Sequence, residues 1–249
     1  MATRHVVLTR SAYGPDWSFG ANLARLKVTE GITAVTMARQ TAPPDTWHWI
    51  ILLDARDPLI ERRMAVYQAA ALSPGFIFWQ PPEEAIAPAP WDPRADPGRL
   101  EGLAAAAYTA PWARAVGPRD EPLLQTRLDD DDGFAPDALE RIARAGARLT
   151  ERTILMLPIG YRTWRGQAER VVHLKNAWQT LFTPAGDELG VYDYGHTHAA
   201  EVAPVVMVDK DPGWLWVRHG QTISGTRTAA GTITPAIRAM FPIDWTLAR

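Results

Sequence analysis

Short apolar runs alternate with longer stretches of helical periodicity through the first 150 residues. Residues 5–9 (HVVLT), 47–53 (WHWIILL), 75–79 (GFIFW) and 123–128 (LLQTRL) are rich in β-branched, aromatic and other apolar residues, and each reads as an interior strand. Between them, residues 22–40 carry Leu23, Leu26, Ile32, Val35 and Met37 as a helix that Gly31 weakens or breaks. Residues 58–72 read as a helix with Leu59, Met64 and Tyr67 toward the core, and residues 99–108 as an alanine-rich helix. Residues 81–97 hold too many prolines for either element and read as an irregular loop. Residues 136–149 form a helix on which Leu139, Ile142 and Ala143 share a face. This alternation predicts an α/β fold: a mostly parallel sheet with helices on both faces.

The last third changes character. Residues 152–157, 171–174, 191–194 and 205–208 read as strands, some separated by turns such as Pro184-Ala185-Gly186. A mixed or antiparallel C-terminal extension follows from that pattern. The whole chain, 1–249, reads as one domain with halves at 1–150 and 151–249.

Composition narrows the function. A net charge of −2 gives no sign of the basic face that a nucleic-acid binder needs. The absence of cysteine excludes disulfides, thiolate metal sites and cysteine nucleophiles. No apolar run approaches a membrane span, and the first residues lack the apolar core of a signal peptide, so the cytoplasm is the expected location.

The sharpest local feature is Asp129-Asp130-Asp131-Asp132-Gly133, at the end of a predicted interior strand. Adjacent carboxylates repel, which opposes burial unless a cation resolves the conflict. Magnesium or manganese held together with a diphosphate needs only one or two protein carboxylates. Alternate residues at a strand end share a face, so Asp129 and Asp131 are expected to point into one crevice. The competing reading is a solvated acidic turn capping the next helix. Asp54 also stands at a strand end, where ligands bind in parallel sheets.

The segment Gln125-Thr126-Arg127-Leu128-Asp129-Asp130-Asp131-Asp132 resembles the T-R-L-D-x-D-D signature of rhamnosyltransferases, a bacterial GT-A-like family. Three further segments agree in order and spacing. They are His5 through Arg10; Arg25-Leu26 through Ala38-Arg39-Gln40-Thr41 and on to Trp47 through Asp54; and Trp214-Leu215-Trp216-Val217-Arg218-His219-Gly220. The chain departs from the family pattern at Ser11 and after Gly220. The resemblance implies a GT-A-like fold and transfer of a sugar from a nucleotide-diphosphate donor to a glycan or other hydroxyl acceptor, with residues 1–150 on the donor side. It implies a divalent metal, Mn2+ or Mg2+, on Asp129, Asp131 and a late His219. Nucleotide-sugar contacts are implied for Thr9, Arg10, Asp54, Arg127 and Asp130, and Asp132 is implied as a catalytic residue that orients the metal acids or touches the sugar.

Inverting transfer needs a general base on the acceptor hydroxyl. The segment YDYGHTHAAE gathers Asp193, His196, His198 and Glu201, and Glu201 is the candidate base with Asp193 behind it. His196 and His198, with His219, are an alternative zinc set. Trp178 is the candidate acceptor-stacking residue, against the competing reading of core packing. Two other functions stand beside the transferase. A glycoside hydrolase also uses paired carboxylates, but spaced across the sugar. A non-catalytic carbohydrate-binding or structural protein would keep the fold without turnover.

Overall fold

The computed structural model describes residues 3–11, 18–71, 73–79, 116, 119–218 and 230–248. The proline-rich stretch, the helix expected at 99–108 and His219 lie outside the described residues.

Strands β1 (Arg4–Ser11), β2 (Trp47–Asp54), β3 (Gly75–Trp79) and β4 (Leu123–Asp129) form where the apolar runs place them. They are parallel, and they sit in a seven-stranded sheet of order β10-β6-β9-β4-β1-β2-β3. β6 (Thr153–Met156), β9 (Gln179–Thr183) and β10 (Val205–Met207) complete it. Only β9 runs against its neighbours β4 and β6, so strands from both sides of residue 150 share one mostly parallel sheet. Near-continuous apolar runs are what such a sheet requires, because both faces are covered. On one face Val7, Ile51, Leu53 and Leu128 pack under the helices; on the other Val6, Leu8, Ile50 and Leu52 pack under Tyr192 and Ala199.

The helical stretch expected at 22–40 is continuous but not uniform. α1 (Phe19–Val28), capped by the Ser18 hydroxyl, passes into a π-helical turn at Thr29–Ala34 and then α2 (Val35–Met37). Gly31 lies inside that turn and accepts the N–H of Asp244 at 3.0 Å. A side chain there would meet Leu247, so glycine lets the C-terminal segment approach and does not break the helix. α3 (Ile60–Ala70) and α4 (Ala138–Gly146) follow β2 and the acid run.

A smaller sheet, β5-β11-β7-β8, packs beside the first. It comprises β5 (Gly133–Phe134), β7 (Ile159–Trp164), β8 (Gln167–Val172) and β11 (Trp214–Val217). β5 leaves the acid run directly, so this sheet is anchored to the end of β4. Residues 191–194 form turns, not the expected strand: Asp193 accepts the Gly190 N–H at 2.7 Å, and Val191 and Tyr192 bury their side chains from there. Two short helices complete the order, α5 (Ala199–Val202) and α6 (Pro235–Met240).

Gly160 on β7 lies flat under the indole of fully buried Trp214, and a Cβ there would collide with the ring. Gly160→Ala is expected to cost about 2 kcal/mol through overpacking, read as a shift in the urea midpoint. An unchanged midpoint would mean that the smaller sheet yields freely.

Candidate active site

The carboxyl ends of β1, β2 and β4 bring Arg10, Ser11, Asp54 and Asp129 to one edge of the sheet. Arg10 is the register partner of Asp129 and Leu8 that of Arg127, so Arg10, Arg127 and Asp129 share a sheet face. Neither arginine closes tightly on the acid: Arg10 Nη2 is 4.0 Å and Arg127 Nε 3.7 Å from Asp129 Oδ1. Both guanidinium carbons stand 5.0 Å from the ring centre of Tyr192, whose hydroxyl donates to the Leu8 carbonyl at 3.1 Å. Burial pushes the Asp129 carboxyl up, but Arg127, Arg10 and Arg25 outweigh it and hold its pKa below the usual value.

Strand alternation stops at Asp129. The chain turns there, with the Asp132 N–H donating to the Asp129 carbonyl at 3.3 Å, and Asp130 and Asp131 converge on one cation. Arg25, from the buried face of α1, donates from Nε and Nη2 to Asp130 Oδ1 at 3.0 and 2.6 Å, and from Nη1 to Asp131 Oδ2. Asp130 Oδ2 accepts from the Ser11 hydroxyl at 2.9 Å, and Arg63 Nη1 lies 3.8 Å away. Arg63 in turn donates to Asp57 at 2.7 Å. The expected pairing of Asp129 with Asp131 on one strand face is therefore corrected by the turn.

Asp132 is buried, and its Oδ1 accepts the Val217 N–H at 3.0 Å, tying β11 to the end of β4. Burial first, then the charges of Asp131 and Asp129, push its carboxyl well above the usual range. Asp132 faces backbone, not an open cleft, which corrects the expectation that it acts on substrate.

Three further expectations change. Asp130 is fully buried with both oxygens engaged, so it anchors the site and does not touch a sugar. Thr9 is equally buried, and its hydroxyl accepts from the Trp49 indole at 2.9 Å. Trp178 stacks on Trp214 at 4.2 Å between ring centres and is a core residue. Asp54 stands at the end of β2 as expected, held by Arg56 Nη2 at 2.9 Å. Asp193 closes its turn, and Glu201 is exposed on α5, paired with His198 at 3.0 Å. His196, which opens that segment, lies within electrostatic reach of Asp129; burial and then the positive charge of Arg127 lower its pKa to about 4.

Among the described residues, no three His, Cys, Asp or Glu side chains are grouped to hold a metal by themselves. An ion that arrives with a diphosphate needs fewer. Asp129 and Asp131 have side chains 28% and 12% exposed, and their repulsion on Asp132 is the kind of strain that a cation relieves. Those two acids could hold such an ion.

Residues 101–231 match the family described as "Putative rhamnosyl transferase". The chain belongs to that family. The match spans the TRLDDDD and WLWVRHG segments, while the β1 and β2 segments lie before it. No curated protein matches the chain. The crystal structure of S. aureus TarS 1-349 in complex with UDP-GlcNAc aligns with a TM-score of 0.50 and 13% identity, over 91% of this chain and 62% of that one. S. aureus TarS 1-349 aligns at a TM-score of 0.49 and 9% identity, over 86% of this chain and 60% of that one. The chain thus spans about 60% of the length of these TarS structures, and the first likeness supports its GT-A-like fold.

The site of this rhamnosyl transferase family member contains four residues that patterning misses: Ser11, Arg25, Arg63 and Tyr192. One signal was available for Arg25. It sits among Asn22, Leu26 and Thr29, the inward face of α1, where an arginine requires a buried acid. No helix among the described residues is long and apolar enough to cross a membrane.

Proposed function

We propose that the chain transfers a sugar, rhamnose by its family, from a nucleotide-diphosphate donor to a hydroxyl acceptor at the crevice beyond β1, β2 and β4. The observation that carries this reading is the partly exposed, charge-stabilised Asp129 at the end of β4, flanked by two arginines and backed by the locked Asp130–Arg25–Asp131 cluster. The UDP-GlcNAc held by TarS, a protein of similar fold, agrees with a nucleotide-sugar donor.

Sugar transfer requires neutralising the leaving diphosphate and placing the donor against the acceptor. A Mn2+ or Mg2+ ion on Asp129 and Asp131 would supply charge neutralisation when bound. Arg25 keeps Asp131 in one orientation, so the carboxylate needs no reorganisation as donor enters. Asp54 and Arg56 border the crevice on the β2 side, where the nucleobase would lie. Glu201 is the proposed base, because it is an exposed carboxylate on the segment that His196 brings beside Asp129.

Calorimetry with UDP, GDP and dTDP, each with and without manganese, tests the reading on wild type and Asp129→Ala. One diphosphate should bind in a metal-dependent way and bind at least about tenfold more weakly to the variant, the loss of one charge-assisted contact. If folded wild type binds none of the three, the transferase reading fails and a non-catalytic role on this fold replaces it.

A further inference from the structure

Strand β11 (WLWV) is buried at three of its four positions, and Trp216 is the fourth. Its side chain lies in one row with Arg162 of β7 and Glu169 of β8, because the three are register partners across the smaller sheet. Behind that row Trp214 and Trp178 stack in the core, and Trp178 meets Trp216 edge to face at 5.9 Å. Arg218 holds its guanidinium carbon 4.0 Å from the centre of the Trp216 ring. The ring of His173, also half-buried, lies 6.1 Å away, centre to centre. The indole is thus braced from behind while part of it stays open, which core packing alone does not require.

Polar groups surround the open part of the ring. Arg162 Nη2 pairs with Glu169 Oε2 at 2.6 Å, and both side chains keep some exposure, 18% and 35%. A guanidinium and a carboxylate side by side offer donors and acceptors to two neighbouring hydroxyls. His173 Nδ1 accepts the Lys175 N–H at 3.4 Å, so in the neutral ring Nε2 carries the proton and can donate. Burial and then the charge of Arg162 lower the His173 pKa, which favours that neutral form. Asn176 fixes the loop beneath: its amide donates to the Leu157 and His173 carbonyls at 2.9 and 2.8 Å and accepts the Trp178 N–H at 3.0 Å. The cluster also adjoins the acid run. Val217, next along β11, is tied to Asp132 at 3.0 Å, and His196 lies within electrostatic reach of both His173 and Asp129. We propose that Trp216, His173 and the Arg162–Glu169 pair form a pyranose subsite that takes the terminal sugar of a carbohydrate acceptor. An aromatic ring receives the apolar C–H face of a sugar, and a few fixed polar groups receive its hydroxyls. A lone lipid or peptide hydroxyl offers neither the ring face nor the paired hydroxyls that this geometry fits. Trp178, expected to stack on the acceptor, instead supports Trp216 from the core. The role as acceptor subsite rests on the sugar-transfer reading of the neighbouring crevice; the binding of sugar does not.

The test is an NMR titration with the methyl glycosides of rhamnose, glucose, galactose and N-acetylglucosamine on wild type, Trp216→Leu, Trp216→Phe and Glu169→Gln. Thermal unfolding is the folding control, and calorimetry with UDP, GDP and dTDP runs in parallel. At least one glycoside should bind wild type. Trp216→Leu should weaken it about tenfold, the size of one aromatic contact, and Trp216→Phe less than about threefold. Diphosphate affinity should not change in either. Glu169→Gln should weaken the glycoside about tenfold, the size of one hydrogen bond to a charged group, and it decides the matter if Trp216→Leu does not fold. Glycoside binding that survives both changes in folded protein overturns the inference, and so does binding of none of the glycosides by wild type. Equal loss of glycoside and diphosphate also overturns it, because the residues would then serve the fold or the donor. Glycoside binding that the variants lose, in a wild type that binds no diphosphate, bears out the subsite and overturns the transferase reading alone.

Discussion

Arg25→Met should destabilise the protein by about 3–5 kcal/mol, the usual consequence of removing one partner from a buried ion pair. Asp130 is fully buried and Asp131 nearly so, and Arg25 is the tight cation for both. Methionine fills similar volume without charge, so the loss reports on electrostatics and not on a cavity. Arg63 stands 3.8 Å from Asp130 and cannot replace two charge-assisted hydrogen bonds. At this chain length such a loss corresponds to a fall in Tm on the order of 10 °C. The companion variant is Arg25→Met with Asp130→Asn. It should cost less than the sum of the single changes, because the second removes the acid that the first strands. Urea unfolding of the four proteins closes the cycle. A single-variant loss below about 1 kcal/mol would mean that the cluster is open to water and that Arg25 does not preorganise Asp131.

This stability argument bears on function. Four adjacent carboxylates are unstable neighbours, and the fold separates them by giving each a different partner. Asp129 takes loose arginines, Asp130 and Asp131 take Arg25, and Asp132 takes the backbone of β11. Asp129 is the most open of the set, because its two arginines remain at a distance. The open acid is suited to exchange partners with a ligand, while the locked acids keep its position fixed.

The sequence made the parallel half of the sheet legible because its strands are buried on both faces, and continuous apolar runs such as WHWIILL have no other use in so short a span. The acid run could be placed for the same reason, since β4 leads straight into it. β7, β9 and β11 were not visible as strands. β9 (QTLFT) is buried at every position, yet three of its five residues are polar. Gln179 satisfies its amide on the Asn176 and His196 carbonyls, and the Thr180 and Thr126 hydroxyls pair at 2.7 Å. Hydropathy counts such residues as surface, because it cannot see the bonds that allow their burial. Residues 191–194 misled in the opposite sense, as apolar residues bury from turns as readily as from strands. The partners of the acid run were hidden by distance along the chain: Arg25 lies 105 residues from Asp130 and Ser11 lies 119. Only folding joins them.

His5 gives the second large effect, on stability against pH. It carries no signal in the sequence, yet it is 2% exposed on β1, with Nε2 2.7 Å from the Thr126 hydroxyl. Burial lowers its pKa from 6.5 to about 4. The folded state therefore resists a proton that the unfolded chain accepts. Above the unfolded pKa neither state binds it, and the contribution is at its full value. As pH falls from 6.5 toward 4, the unfolded state gains protons first and stability drops, by about 3 kcal/mol once both values are passed. Between pH 7.5 and 5 the share due to His5 is about 2 kcal/mol. His196 acts in the same sense, and Asp132, whose folded pKa is raised, acts in the opposite one, so the wild-type profile alone does not isolate His5. The difference from His5→Gln does, because an amide reaches Thr126 from the Nε2 position without titrating. Urea midpoints should show wild type losing about 2 kcal/mol more than His5→Gln across that range. Parallel profiles would mean that water reaches the imidazole and that the strand end at His5 opens readily. In that case the lower edge of β1, opposite the crevice, would be the first part of the sheet to fray.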